Sequence, residues 1–265
     1  MNFNQLLDAV QEHPEGVCIP ANWAQGRAAF GGLMAAMVYQ TMRQKLSDNR
    51  PVRSLAISFV APATPDVPIR FEVEVLREGK AVSTLLGRAV QEGQVVTLVQ
   101  GNFGAGRPSV VEVPTLPAME MKPLDQAAPE LPYIQGVTPE FMRHVALRWA
   151  VGGLPFSGNQ SRQMGGWVRL RDVAEEQVNE AHLLALVDAW PPSLMPFLKQ
   201  PAAGSTLTWT IEFIQPVASL STLDWCRYCV ETEHARDGYG HAAAALWTAD
   251  GELLALSRQT VTVFA

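Results

Sequence analysis

Apolar and polar residues follow one another along this chain with two periods, and the switch between them occurs twice. Met34, Val38, Met42 and Leu46 stand at four-residue steps with Met37 beside them, the spacing of a single helix face. It predicts a helix over 32–46, opened by Gly31-Gly32 and ended by Asp48, Asn49 and Pro51. The period then drops to two. Leu55, Ile57 and Phe59 alternate with Ser54, Ala56 and Ser58, and Ile69, Phe71, Val73 and Val75 alternate with Arg70, Glu72 and Glu74, as in strands with one wet face. Turns at Glu78-Gly79-Lys80 and Glu92-Gly93 set off further strands over 81–91 and 95–103.

The second half repeats this order. A short strand over 167–170 precedes a helix expected over 174–189, and strands follow near 206–215, 223–233, 242–248 and 253–264, with turns at Asp237-Gly238 and Asp250-Gly251. Phe59 and Pro62 of the first half return as Phe213 and Pro216, each 154 positions later (213 − 59 and 216 − 62). Between the halves, prolines at 108, 114, 117, 123, 129 and 132 remove backbone donors and fix φ, which predicts an extended connector. The expected organisation is a module over 1–107, a connector over 108–135 and a second module over 136–265. Residues 141–149 also read as a helix. A helix whose apolar face must be covered by an antiparallel sheet is an α+β solution. Two such units can join their sheets edge to edge, which hides strand edges and leaves a seam where ligands commonly bind.

Composition narrows the function classes. An apolar share of 48% supports a substantial core, and a net charge of −6 argues against nucleic-acid binding while leaving room for a local cationic pocket. No apolar run reaches membrane-spanning length, and the segment Met1 to Leu7 does not read as a signal peptide. The expected location is the cytoplasm, with no membrane partner. Three cysteines, an odd number, point to free thiols. Cys226 and Cys229 have CxxC spacing inside a strand, so they face opposite sides and cannot share a metal. The five histidines lack metal-ligand spacing, and no metal or cofactor is expected. The stretch from Gly101 to Ser109 has the glycine spacing of a phosphate loop without its lysine, and there is no GxSxG elbow.

Two polar residues stand where the pattern asks for apolar ones. Asp188 shares a helix face with Ala181, Leu184 and Ala185. A carboxylate there is paired, raised in pKa or at a cavity wall, and a helix-end structural role competes with a functional one. Gln259 lies among Leu253, Ala255, Ser257, Val261 and Val263 on one strand face and must find partners for its amide.

The segment Gly26-Arg27-Ala28-Ala29-Phe30-Gly31-Gly32, Phe59 with Pro62, and the segment Glu74 to Lys80 resemble the double-hotdog thioesterase-like family, best known from type II bacterial acyl-CoA thioesterases. So do Leu186-Val187-Asp188, the segment Ser205 to Phe213 and the segment Asp250 to Gln259. The resemblance runs from about Asn22 to Val263 and implies an α+β double hotdog, an acyl-CoA substrate and a tendency to homo-oligomerise. The family's catalytic Asp, Thr or Ser, and Gln match Asp188, Thr206 and Gln259 here, while its acidic and His positions just after the Thr are Thr208 and Trp209. Strict alternation from Leu207, Trp209, Ile211 and Phe213 would turn Thr206 away, so either the Gly204-Ser205 turn or a bulge has to re-aim it. The implied chemistry is water attack on a thioester, with Asp188 as general base, Thr206 and Gln259 positioning the water, and backbone N–H groups holding the oxyanion. Two alternatives compete: a non-catalytic acyl- or aromatic-ligand module, and a hotdog enoyl-CoA hydratase, which would need a His where Ser193 stands.

Overall fold

The computed structural model describes residues 1–264 apart from Leu116 and Asp172. The chain opens with α1 (Phe3–Glu12), an element the sequence reading passed over. Its signal is plain in retrospect: Phe3, Leu6, Leu7 and Val10 make one buried face, and Asn2 and Gln5 form a reciprocal capping box at 2.8 and 2.9 Å. A two-residue ribbon, β1 (Ala24–Gln25) with β2 (Ala28–Ala29), leads into α2 (Gly31–Arg43). Then come β3 (Val52–Phe59), β4 (Arg70–Glu78), β5 (Val82–Gln91) and β6 (Gln94–Gly104). The second half contributes β7 (Val145–Val151), β8 (Gln163–Leu170), α3 (Glu180–Asp188), β9 (Ala203–Phe213), β10 (Cys226–Arg236), β11 (Tyr239–Trp247) and β12 (Leu253–Phe264).

Ten strands form one antiparallel sheet in the order β4-β5-β6-β3-β9-β12-β11-β10-β8-β7. The two halves meet where β3 pairs with β9, and Ala56 lies opposite Thr210. Those positions are 154 apart (210 − 56), the offset of the sequence repeat. A local two-fold therefore passes through this pair, and the repeat becomes a symmetric seam. The buried helices α2 and α3 pack on each other over one face of the sheet, the double-hotdog layout expected. Turns at Glu92-Gly93 and Asp237-Gly238 have positive φ at both residues, which matches the twist of the hairpins they close.

Two expectations need correction. Residues 141–149 are not a helix: a 3₁₀ turn over Glu140–Arg143 gives way to β7, in which Val145, Leu147 and Trp149 alternate with Ala146, Arg148 and Ala150. The second helix begins at Glu180 rather than at 174, because the preceding backbone is used elsewhere. Val178 N–H bonds Leu220 O at 2.8 Å, Glu176 N–H bonds the Thr222 hydroxyl at 3.2 Å, and Asn179 caps the helix. The proline-rich segment also packs on the second half. Ala118, Met119 and Met121 cover the sheet face opposite the helices, over Cys229, Trp247 and Leu253. Further on, Ala128 and Leu131 donate to the β7 edge at 2.8 and 2.9 Å. Cys226 and Cys229 do lie on opposite faces, both buried. Burial pushes the Cys226 thiol up to about 12 and the Cys229 thiol up to about 11, so both stay protonated and unreactive.

Candidate active site

Helix α3 buries every residue from Ala181 to Val187 and ends on Asp188, which is only partly covered. Its start is held firmly. The Asn179 side chain accepts from the amides of Ala181 and His182 at 3.0 and 3.4 Å, and His182 Nδ1 accepts from the Asn179 amide at 3.1 Å. The His182 Nε2–H then reaches Asn4 Oδ1 of α1 at 3.1 Å. A helix fixed at one end delivers its last residue to a defined place, here the first turn of α2.

Gln259 Nε2 donates to Asp188 Oδ1 at 2.9 Å, and the Gly32 amide donates to the same carboxylate. The approach is close enough to require glycine twice. A Cβ on Gly31 would lie 2.8 Å from Asp188 Oδ2 and 3.0 Å from the Phe59 ring; one on Gly32 would lie 3.0 Å from both Asp188 Cβ and Leu184 O. Phe30, which precedes the helix, offers no side-chain cap, so the first-turn amides of α2 open toward this corner. Burial pushes the Asp188 carboxyl up to about 7, against the lowering effect of the Gln259 and Gly32 hydrogen bonds. The group is thus poised to gain or lose a proton near neutrality.

The bulge, rather than the turn, re-aims Thr206. Thr208 pairs with Thr260 and Thr206 with Val261, so Leu207 is the extra residue, and both Leu207 and Thr208 are exposed. The inward row of β9 becomes Thr206, Trp209, Ile211 and Phe213. Trp209 lies opposite Gln259 and donates from Nε1 to the Ser257 hydroxyl at 2.9 Å, which places Gln259 between two ordered neighbours. Thr206 shares the face of Gln259 one inward step along. Among the described residues its hydroxyl makes no direct hydrogen bond to Asp188 or Gln259. The structure therefore joins two of the three sequence candidates directly and brings the third to the same face.

Other contributors were not legible beforehand. Gly31, Gly32 and Phe59 were not singled out as site residues by the sequence, yet they meet Asp188 or its neighbours across the seam. Tyr228 stacks on Trp190 at 5.1 Å, and Trp190 packs on Trp149 at 4.8 Å. Burial raises the Tyr228 pKa, with smaller contributions from Cys229 and Asp188. Ser193, where a hydratase would carry His, is buried and within 2.8 Å of the Thr232 hydroxyl. Among the described residues no group of three or more His, Cys, Asp or Glu could hold a metal ion.

The first half carries the same scaffold with different side chains. Counting from the residues that precede the helices, Phe30 and Asn179, Tyr39 and Asp188 both stand nine positions in. Val52 and Phe103 pair across a bulge at Arg53, as Thr206 and Val261 pair across Leu207. Leu55 lies opposite Gly101 as Trp209 lies opposite Gln259. So Asp188, Thr206 and Gln259 correspond to Tyr39, Val52 and Gly101. There the Tyr39 hydroxyl donates to Glu180 at 3.0 Å, Gln215 Nε2 donates to Glu180 at 2.7 Å, and Met42 fills the space above Gly101.

Known proteins agree with this architecture. Residues 19–104 match a family model described as the acyl-CoA thioesterase N-terminal domain, and residues 118–263 one described as the C-terminal domain. Acyl-CoA thioesterase 2 of Haemophilus influenzae is 24% identical over 250 residues, covering 88% of this chain and 86% of that protein. A hot dog fold protein from Alicyclobacillus acidocaldarius superimposes with a TM-score of 0.80 at 23% identity, over 94% of this chain and 92% of its own. An acyl-CoA thioesterase II from Mycobacterium marinum gives 0.70 at 19% identity, over 97% and 98% of the two chains. With both halves matched in order, around one Asp–Gln pair at their seam, this chain belongs to the acyl-CoA thioesterase family.

Proposed function

We propose that this acyl-CoA thioesterase hydrolyses its substrate at the corner formed by Asp188, Gln259, Thr206 and the first turn of α2. The observation that carries the site is the Asp188–Gln259 hydrogen bond against Gly31-Gly32, which the otherwise equivalent first half lacks. Asp188 takes a proton from water as the water oxygen attacks the thioester carbonyl carbon. Gln259 fixes the carboxylate through Oδ1, and the Thr206 hydroxyl orients the water from the neighbouring position of the same face. The first-turn amides of α2 that Asp188 does not use receive the negative charge developing on the carbonyl oxygen, helped by the positive end of that helix. Collapse of the tetrahedral intermediate breaks the C–S bond, and the proton held by Asp188 passes to the departing CoA thiolate.

In this arrangement residues 136–265 supply the base and 1–107 the wall and oxyanion amides, with 108–135 strapping the second half. We place the enzyme in the cytoplasm on the strength of its three free thiols, and propose that it self-associates without nucleic-acid or membrane partners. The test is release of free thiol from a panel of acyl-CoAs by native protein and by Asp188→Asn. Native turnover with a loss of roughly 10²–10⁴-fold in the variant is expected. Full activity in Asp188→Asn would remove Asp188 from the mechanism.

A further inference from the structure

On the helix side of the sheet, beyond Gln259, lies an open groove of about 580 Å³ between the β10–β11 hairpin and the loop that follows α3. The inward row of β12 runs from Gln259 through Val261 to Val263, and Val263 lines the groove. Four strand residues span about 14 Å at ~3.4 Å each, comparable to a chain of roughly ten methylenes. Leu194, six residues after Asp188, sits between the two ends. It packs with Val261 and Val263 in an apolar cluster separate from the main core. Its side chain lies over Gly240, where a Cβ would come within 2.5 Å of Leu194 Cδ1.

Arg162 and Glu233 at the rim have partners, while Arg236 stays largely exposed. Arg162 donates to Thr232 O at 2.8 Å and to Glu233 O, Glu233 pairs with Arg258, and Arg236 faces Asp237 at 3.7 Å. His234 stacks on His241 at 6.4 Å. Leu194, Phe197, Leu198 and Val263 give the groove an apolar side. We infer that this groove receives the distal part of the substrate's acyl chain, and that Leu194, at its inner end, determines the chain length accepted.

The inference rests on the thioesterase reading of the Asp188 corner. In it, an acyl carbon at the carbonyl starts beside Asp188 and the tail follows the Gln259–Val261–Val263 row. Short chains end before Leu194. Longer ones have to displace it to reach the groove, and truncating it opens the way. Each methylene moved from water into such a groove strengthens binding about fourfold.

The experiment measures kcat/KM over straight-chain acyl-CoAs from four to sixteen carbons, with CoA product inhibition, for native protein, Leu194→Ala and Leu198→Trp. Thermal melts confirm folding of each variant. Leu194→Ala is expected to raise the ratio of long-chain to short-chain kcat/KM by about tenfold. Leu198→Trp, which fills the groove without touching the Asp188 corner, is expected to lower kcat/KM at least tenfold for chains of about ten carbons or more while butyryl-CoA is unchanged. An active native enzyme whose chain-length profile neither variant moves would overturn the inference and leave the thioesterase reading standing. A uniform loss at all lengths with weaker CoA inhibition would also overturn it, since the groove would then hold the CoA end. Native protein that cleaves no acyl-CoA would sink both.

Discussion

At the scale of single residues, Asp188 ties activity and stability to one pH axis. Its folded pKa is raised, by burial first, to about 7, whereas an unfolded Asp titrates near 3.9. A raised pKa contributes stability that is fully present below about pH 4 and is lost as pH rises through about 7. The ionised base that the proposed mechanism needs is the form the fold tolerates least. We expect kcat/KM to climb with an apparent pKa near 7, and Asp188→Asn to abolish that rise. Urea denaturation of Asp188→Asn should show a gain of ~1–3 kcal/mol over native protein near pH 8 that vanishes near pH 4. A flat pH–rate profile, or a variant less stable at both pH values, would contradict this. Thr206 allows a cleaner substitution, because Val52 already occupies the corresponding position beside the bulge in the first half and is fully buried there. Thr206→Val should keep the melting temperature within about 2 °C. It should lower kcat by roughly 5- to 100-fold, the worth of one well-placed hydrogen bond of ~1–3 kcal/mol. Unchanged kcat would release Thr206 from its water-positioning role.

At the scale of elements, α3 is short, and what holds its beginning governs where its end points. Asn179→Ala removes acceptors for two first-turn amides. We expect a cost of about 1 kcal/mol, read as a fall of about 2–4 °C in melting temperature for a protein of this size. No change would mean that His182 and its contact with Asn4 suffice as the anchor. This helix also illustrates how far residue order alone reaches. The apolar run and Asp188 stood out by spacing, but Glu175, Glu176 and Gln177 favour a helix locally and lie outside any helix in the structure. They are held there by the 220–222 segment, and tertiary hydrogen bonds outweigh propensity differences of a few tenths of a kcal/mol per residue. Residues 145–151 failed in the other sense, since a seven-residue alternation flanked by a turn satisfies both periods. The repeat, the hairpins and the out-of-place Gln259 were legible because each is a local pattern. The bulge at Leu207 needed the opposite strand to be seen, and so did the glycine pair's contact with Asp188, since Gly32 lies 156 positions away (188 − 32) in the other half.

At the scale of the whole molecule, one fold is used twice and only the second copy carries the Asp188–Gln259 pair that we propose as the catalytic site. The second corner is closed by its own side chains: Tyr39 is buried, its hydroxyl donates to Glu180, and Gln215 donates to the same carboxylate. Burial raises the Tyr39 pKa well above its ordinary value, with the neighbouring Glu180 charge adding to it, so the hydroxyl remains a donor throughout the working pH range. Where the proposed active corner would meet substrate, this one is filled by Tyr39 and Gln215 on Glu180. The division of labour makes a contrast that a single-site enzyme could not offer. Tyr39→Phe removes one hydrogen bond from a partly buried carboxylate that keeps another, which should cost about 1 kcal/mol of stability and leave kcat/KM and its pH profile unchanged. Asp188→Asn, at the corresponding position, should do the reverse at neutral pH, losing turnover while holding or gaining stability. If Tyr39→Phe instead lowered kcat/KM as Asp188→Asn does, at a temperature where both variants are folded, the two corners would be coupled parts of one machine, and the Tyr39–Glu180–Gln215 cluster would have to be counted in the catalytic apparatus.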